Sequence, residues 1–261
     1  MMEQMSIKFV CLNLWRGGLL FDAVFDFLEK EQPDILALQE VLAGDNPAMP
    51  ARFRSIETIQ QRLHFASVDF APALLDTEEG YKFQSGNAVL TRFPITSHQI
   101  IPYDKPFTER TARGPEAWAA TPRNLQHVVV DANGTELNIF NTQGVWDLDG
   151  MNPSDRRKAM CQTIADAVAG KSHVIFAGDT NLNPTNPTLA PIDALLTPVF
   201  AKDELPTSFN VRRKDLVKFP GYATAVVDLM YISKDMRIVA HDCPNVDISD
   251  HLPLVAALEA I

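Results

Sequence analysis

His173-Val174-Ile175-Phe176-Ala177-Gly178-Asp179-Thr180-Asn181-Leu182-Asn183-Pro184 is the stretch around which the rest of the chain is best read. The apolar run His173 to Phe176 has the length and β-branched content of a buried strand, and glycine closes it. An acid, Asp179, and an amide, Asn181, then stand two residues apart at the mouth of that strand. Side chains there can converge on a ligand, because loops held by a rigid scaffold carry a large share of binding and catalytic groups. Asp and Asn also favour Asx turns, so the same residues read as a turn closed by proline. The choice depends on what the other strand ends carry.

They carry matching chemistry. Ile7 to Trp15 alternates as a strand with Asn13 near its end, and Gly17-Gly18 breaks it. Leu19 to Glu31 places Leu20, Val24, Phe27 and Leu28 at helical spacing before Pro33 stops it. Asp34 to Leu38 is an apolar strand that runs out at Gln39-Glu40. This strand, helix, strand succession predicts layered α/β packing. Downstream, Arg123 to Asp131 and Thr135 to Thr142 flank Asn133-Gly134, the signature of a type I′ hairpin. The second of these strands ends in Asn141-Thr142-Gln143-Gly144. Ser154 to Ala169 reads as a helix, with Ser154 as cap and Gly170 past its end. Ala223 to Ser233 reads as a strand holding Asp228 amid Val226, Val227, Leu229 and Met230. Ser249-Asp250-His251-Leu252-Pro253 precedes a last strand, Leu254 to Leu258.

The remaining segments are plainer. Arg52 to Leu63 is an amphipathic helix, His64 to Phe70 a strand, and Asp76 to Gln84 a polar loop. Gly86 to Pro94 is a strand, with Ile95 to Ile101 expected to pair with it. Tyr103 to Thr121 is a long irregular segment carrying Arg110, Arg113 and Trp118. Pro187 to Thr197 holds a short helix. Arg212-Arg213-Lys214, with Lys218, is the densest basic cluster and reads as a solvated loop or an anion contact.

With 261 residues, 46% hydrophobic and 21% charged, the chain reads as a single domain over 1–261 with a sizeable core. Its apolar runs are strand-length, so no transmembrane segment is expected. Met1 to Ser6 lacks the basic and apolar regions of a signal peptide. Three cysteines without motif spacing suit a reducing, cytoplasmic setting. The net charge of −10 disfavours tight nonspecific binding to a phosphate backbone, though not a phosphate substrate handled locally.

Collected together, Asn13, Glu40, Asp179, Asn181, Asp228, Asp250 and His251 offer hard oxygen atoms and one imidazole. Cys and His show no zinc spacing, whereas carboxylate and amide oxygens suit Mg²⁺ or Mn²⁺. Asp228 in an apolar setting needs a partner, and His251 is the natural one.

The ordered set Leu12-Asn13, Gln39-Glu40, Gly86 to Pro94, Asn141-Thr142, Gly178 to Asn181, Val227-Asp228 and Ser249 to Pro253 resembles the endonuclease/exonuclease/phosphatase superfamily. The resemblance implies an α/β fold of α+β type, deoxyribonuclease I-like: a four-layered sandwich of two mainly antiparallel β-sheets flanked by α-helices. It also implies a divalent-metal-dependent phosphoesterase using Mg²⁺ or Mn²⁺. By that resemblance Glu40 is the main metal ligand, with Asn13 and Asp250 nearby or bound through water. Asp179 accepts a proton from the attacking water, and Asn181 holds that water or a phosphate oxygen. His251 hydrogen-bonds a nonbridging oxygen and is oriented by Asp228. Arg123 matches a less fixed arginine of the family and is expected, with Arg113, Arg212 and Arg213, to contact substrate. Gln143 stands where many members carry histidine and others tyrosine; its amide can donate a hydrogen bond but cannot deliver a proton at neutral pH. The expected substrate is a phosphodiester in a small molecule, a lipid headgroup or a nucleic acid, with no protein partner. The alternatives are a nuclease on DNA or RNA, or a member that binds a phosphate ligand without catalysis.

Overall fold

Along Asp34 to Leu38 the side chains alternate between two faces, and both faces are buried. Ile35 and Ala37 join Phe9, Cys11, Val128, Val130, Ile139, Ile175 and Ala177 in one apolar cluster. Leu36 and Leu38 join Val10, Leu12, Val24, Phe25, Leu28 and Ile59 in another. A strand covered on both faces reads as a continuous apolar run rather than an alternating one, which is the pattern here. In the computed structural model, which describes residues 6–261, this double burial produces four layers. The signal-peptide reading of Met1 to Ser6 falls almost wholly outside the described residues.

The strands are β1 (Ser6–Asn13), β2 (Ile35–Ala43), β3 (Ser67–Glu78), β4 (Tyr81–Thr91), β5 (Ile95–Pro102), β6 (Thr108–Glu109), β7 (Asn124–Ala132), β8 (Thr135–Gln143), β9 (Val174–Asp179), β10 (Thr197–Pro198), β11 (Asp228–Ile232), β12 (Met236–Asp242) and β13 (Leu254–Ala260). One sheet has the order β12-β13-β1-β2-β4-β3-β6, the other β10-β11-β9-β8-β7-β5. Most pairings are antiparallel; β1 with β2, β3 with β6 and β8 with β9 are parallel. Between the sheets lies the first cluster. Helices Phe21–Glu31 and Ser55–Leu63 cover the outer face of the first sheet. Helix Asp155–Val168 covers the second, packing Met160, Cys161, Ile164 and Val168 on Phe140, Phe176 and Tyr231. Ser154 caps that helix by accepting from the Arg157 N–H at 3.3 Å. Asn133 and Gly134 both take positive φ, as a type I′ turn requires.

Four expectations need correction. Asp76 to Gln84 is not a loop but the turn and facing strands of the β3–β4 hairpin, whose polar residues face outward or find partners. Asp76, for instance, is buried because Arg110 and Arg113 both bind it. β5 pairs with β7 in the opposite sheet, not with β4, because the chain crosses the sandwich at Phe93-Pro94. A period-two pattern names a face but not the neighbouring strand. β12, an edge strand with mostly exposed residues, carries only the short apolar run Ile238-Val239-Ala240 and was not foreseen. Asp228 opens β11 rather than lying inside it, since Ala223 ends a short 3-10 helix and Thr224 to Val227 are turn and loop.

Candidate active site

Chain direction gathers the polar strand ends at one edge of the sandwich. β1 and β2 run parallel, with Asn13 opposite Gln39, and β8 and β9 run parallel, with Gln143 opposite Asp179. β11 runs antiparallel to β9, so its first residue, Asp228, faces the last residue of β9, Asp179. β13 runs antiparallel to β1, which sets the preceding Asp250-His251 segment at the same edge. Gly178 permits the close approach of β8 and β9 there: a Cβ on it would lie 2.0 Å from the Thr142 carbonyl oxygen.

Glu40 reaches the site through a backbone irregularity. The β2–β4 register shifts between Leu38 and Val41, leaving one extra residue on β2, and Glu40 takes φ of 55°. A bulge of this kind re-aims a side chain, and a left-handed conformation at a non-glycine residue costs about 1–2 kcal/mol. Its carboxylate is well held. Oε1 accepts from Gln143 Nε2 at 2.8 Å and from Asn13 Nδ2 at 3.3 Å, and Oε2 accepts from the Arg16 backbone N–H at 2.9 Å. Burial opposes ionisation of Glu40, but the Arg16 N–H and the charges of His251 and Arg123 outweigh it and hold the carboxyl below its usual range.

Asn13 bridges the two sheets, donating from Nδ2 to Asp179 Oδ2 at 3.1 Å as well as to Glu40. Its Oδ1 accepts the Trp15 N–H at 2.9 Å, which fixes the amide orientation. Among the described residues the Asp179 carboxylate otherwise accepts only the Asn181 N–H, at 3.2 Å. Burial first, then the neighbouring Asp228 and Glu40 charges, push Asp179 up to about 6 against the pull of His251 and Arg123. Asn181 takes φ of 56° and donates through Nδ2 to the Gly144 carbonyl at 3.2 Å. Two such backbone outliers at one edge are a mark of a functional site.

Asp228 and His251 form the expected pair. Nδ1–H of His251 donates to Asp228 Oδ2 at 2.8 Å, which leaves Nε2 without that partner, and the Ser208 hydroxyl donates to the same oxygen at 2.7 Å. Burial disfavours the imidazolium, but Asp228, with Asp250 and Asp179, overcomes it and raises His251 to about 9. The ring is therefore cationic at neutral pH. Phe209 packs edge-on against it, with ring centroids 4.6 Å apart.

Gln143 is pinned at both ends of its amide, donating to Glu40 and accepting from Arg123 Nη1. Arg123 thus borders the site, with its Nε buried and without a hydrogen-bond partner among the described residues. Asp250 accepts from the Lys214 ammonium at 2.6 Å. Of the other arginines, Arg113 forks onto Asp76 at 2.7 and 3.0 Å and Arg213 onto Asp247, so both charges are committed to carboxylates. Arg212 lies in the same short turn, Val211–Arg213. Sequence reasoning did not single out the Arg16 N–H, for which Gly17-Gly18 was the available signal, nor Ser208, for which there was none.

The donor set suits a hard divalent cation. Ligating atoms of Asp179, Asp228 and His251 lie within 4.8 Å of one another, but Nδ1 of His251 is already committed to Asp228 at 2.8 Å. The Glu40–Asp179 side, with crowded carboxylates and no ion pair to either among the described residues, is the better place for the ion.

A family model described as "Endonuclease/Exonuclease/phosphatase family" matches residues 11–251. No curated protein matches the chain. Among solved structures, an endonuclease/exonuclease/phosphatase from Beutenbergia cavernae is similar with a TM-score of 0.75 at 18% identity, over 99% of this chain and 72% of that one. D. rerio TDP2 complexed with single strand DNA product gives a TM-score of 0.69 at 17% identity, over 98% and 99% of the two chains. The human Nocturnin catalytic domain with bound sulfate gives 0.67 at 17%, over 99% and 97%.

Proposed function

Because the chain belongs to the endonuclease/exonuclease/phosphatase family, we propose that it is a divalent-metal-dependent phosphoesterase that cleaves a phosphodiester with water. The observation that carries this reading is the grouping at the sandwich edge of two carboxylates that form no ion pair among the described residues, Glu40 and Asp179, beside His251, which is held by Asp228 at 2.8 Å. Glu40 is the residue that would hold Mg²⁺ or Mn²⁺, with Asn13 fixing its carboxylate. The bound ion supplies Lewis acidity and charge compensation.

The chain's own groups divide the remaining work. Asp179, opposite Asp228 on the first rung of β11, takes a proton from the attacking water at its Oδ atoms. Its elevated affinity for a proton suits a general base near neutral pH. Asn181 positions that water or a phosphate oxygen. As the O–P bond forms, negative charge grows on the nonbridging oxygens, and His251 Nε2–H donates to one of them. Asp228 keeps the imidazole in the orientation that leaves Nε2 free. Gln143 and Arg123 offer further donors, and the leaving oxygen departs with its electron pair and takes a proton from solvent. Arg212 is the cation of its turn that could reach a substrate anion, since Arg213 and Arg113 are held by Asp247 and Asp76.

The reading is tested by hydrolysis of bis-p-nitrophenyl phosphate against p-nitrophenyl phosphate in Mg²⁺, in Mn²⁺ and in EDTA. Diester turnover that EDTA abolishes supports it. Metal-independent turnover, or none on either substrate with metal binding absent, overturns it.

A further inference from the structure

Four carboxylates meet at the site, and two of them already have a cation built into the chain. Asp228 is paired with His251 at 2.8 Å and Asp250 with Lys214 at 2.6 Å. Glu40 and Asp179 share only the Asn13 amide, and neither forms an ion pair among the described residues. We propose that Lys214 is a fixed cation that occupies Asp250 in place of a divalent ion, so that the centre takes a single divalent ion, on the Glu40 side. The proposal rests on the metal-dependent reading above.

Lys214 is not an ordinary surface partner. Its side chain is 12% exposed and that of Asp250 13%. An ammonium is strongly hydrated and is costly to bury unless its surroundings replace the lost water. Here Asp250 and two ring faces do so: the nitrogen lies 4.4 Å from the Phe209 ring centroid and 4.8 Å from that of Tyr222. Phe209 in turn packs against both Tyr222 and His251.

The backbone holds the lysine in place. The Asn210 N–H donates to the Asp250 carbonyl and the Leu252 N–H to the Ser208 carbonyl, fastening the segment before Lys214 to the Asp250-His251 segment. Asn210 adds side-chain bonds to the Ser249 carbonyl and to Asp247. A divalent ion bound at the Lys214-facing oxygen of Asp250 would meet the ammonium at short range, and in a partly buried site that repulsion is poorly screened.

The test counts bound Mn²⁺ by isothermal titration calorimetry on the wild-type protein, Lys214→Gln and Lys214→Arg. The wild type and Lys214→Arg are expected to bind one ion each, and Lys214→Gln to gain a second, weaker site on the freed Asp250. Two ions in the wild type would overturn the proposal while leaving metal dependence intact, and that result stands even if Lys214→Gln does not fold. One ion in a folded Lys214→Gln would overturn the substitution of lysine for metal. No Mn²⁺ in the wild type would instead overturn the metal-dependent reading itself.

Discussion

Asp179 and Asp228 face each other across one rung of β9 and β11, yet their surroundings give them opposite tasks. Asp228 is engaged by the Ser208 hydroxyl and the His251 imidazole, and acts by holding a cation. Asp179 has weaker partners and two carboxylate neighbours, and in the proposed mechanism it is the group that takes a proton. His251 follows from the same crowding, and its titration has a consequence for stability. Its pKa of about 9 in the folded protein lies above the ordinary value, so between roughly pH 6.5 and pH 9 the native state binds more protons than the unfolded chain. Stability from this pair is fully present below that window and is lost as pH rises through it. Metal-free His251→Gln is therefore expected to be destabilised by on the order of 2–3 kcal/mol at pH 6, with the gap to wild type narrowing between about pH 6.5 and pH 9 and closed above that. Urea denaturation at several pH values checks this. The same variant should lose about 10²–10³-fold in kcat, as removal of one charge-stabilising donor does.

At the scale of elements, the polar edge rests on a polar seam inside the sandwich. Asn141 on β8 donates to the Leu38 and Ala88 carbonyls and to Gln126, and accepts from Gln39, tying the two sheets together just below the site. Asn141→Ala would leave these buried groups unpaired and is expected to cost about 3 kcal/mol in chemical denaturation. The strands and helices that pack on both faces were legible in sequence, because double burial writes continuous apolar runs such as Ile35 to Leu38. The Asn133-Gly134 hairpin and the Ser154 cap were legible because local backbone geometry demands those residues. The turn end of the hairpin β3–β4 over Asp76 to Gln84, the crossing of β5 to the second sheet and the edge strand β12 were not. Their residues face solvent or depend on a partner distant in sequence, and no short pattern encodes that choice.

The site was legible to a similar degree and for a related reason. Asn13, Gln143, Asp179, Asn181, Asp228, Asp250 and His251 all lie at or beside strand ends, and two parallel pairings bring those ends to one edge. Glu40, expected at a strand end, instead lies inside β2, which continues to Ala43, and is turned to the same edge by the bulge. Side-chain commitments were not legible: Arg113 and Arg213 looked free in sequence but are held by Asp76 and Asp247, while Lys214 looked like part of a solvated run but is enclosed.

Over the whole molecule, charge sets the terms on which a phosphate substrate is met. With a net charge of −10, the chain has no excess of cations to neutralise a long phosphate backbone, and on the proposed reading recognition falls to a few groups at the sandwich edge. No helix among the described residues is long and apolar enough to cross a membrane. KM for a small diester should accordingly change little between 50 and 200 mM salt, rather than by the roughly 10³-fold typical of proteins making many backbone contacts. Initial rates across a KCl series would show it.

The most direct test of the account is kcat for bis-p-nitrophenyl phosphate with saturating Mn²⁺, measured for the wild type and for Asp179→Asn alongside their circular dichroism and Mn²⁺ affinity. The account predicts a variant that folds and still binds Mn²⁺ but turns over about 10²–10⁴-fold more slowly, the range that a general base contributes. A folded, Mn²⁺-binding Asp179→Asn with wild-type turnover would contradict it, because the proton of the attacking water would then have another destination.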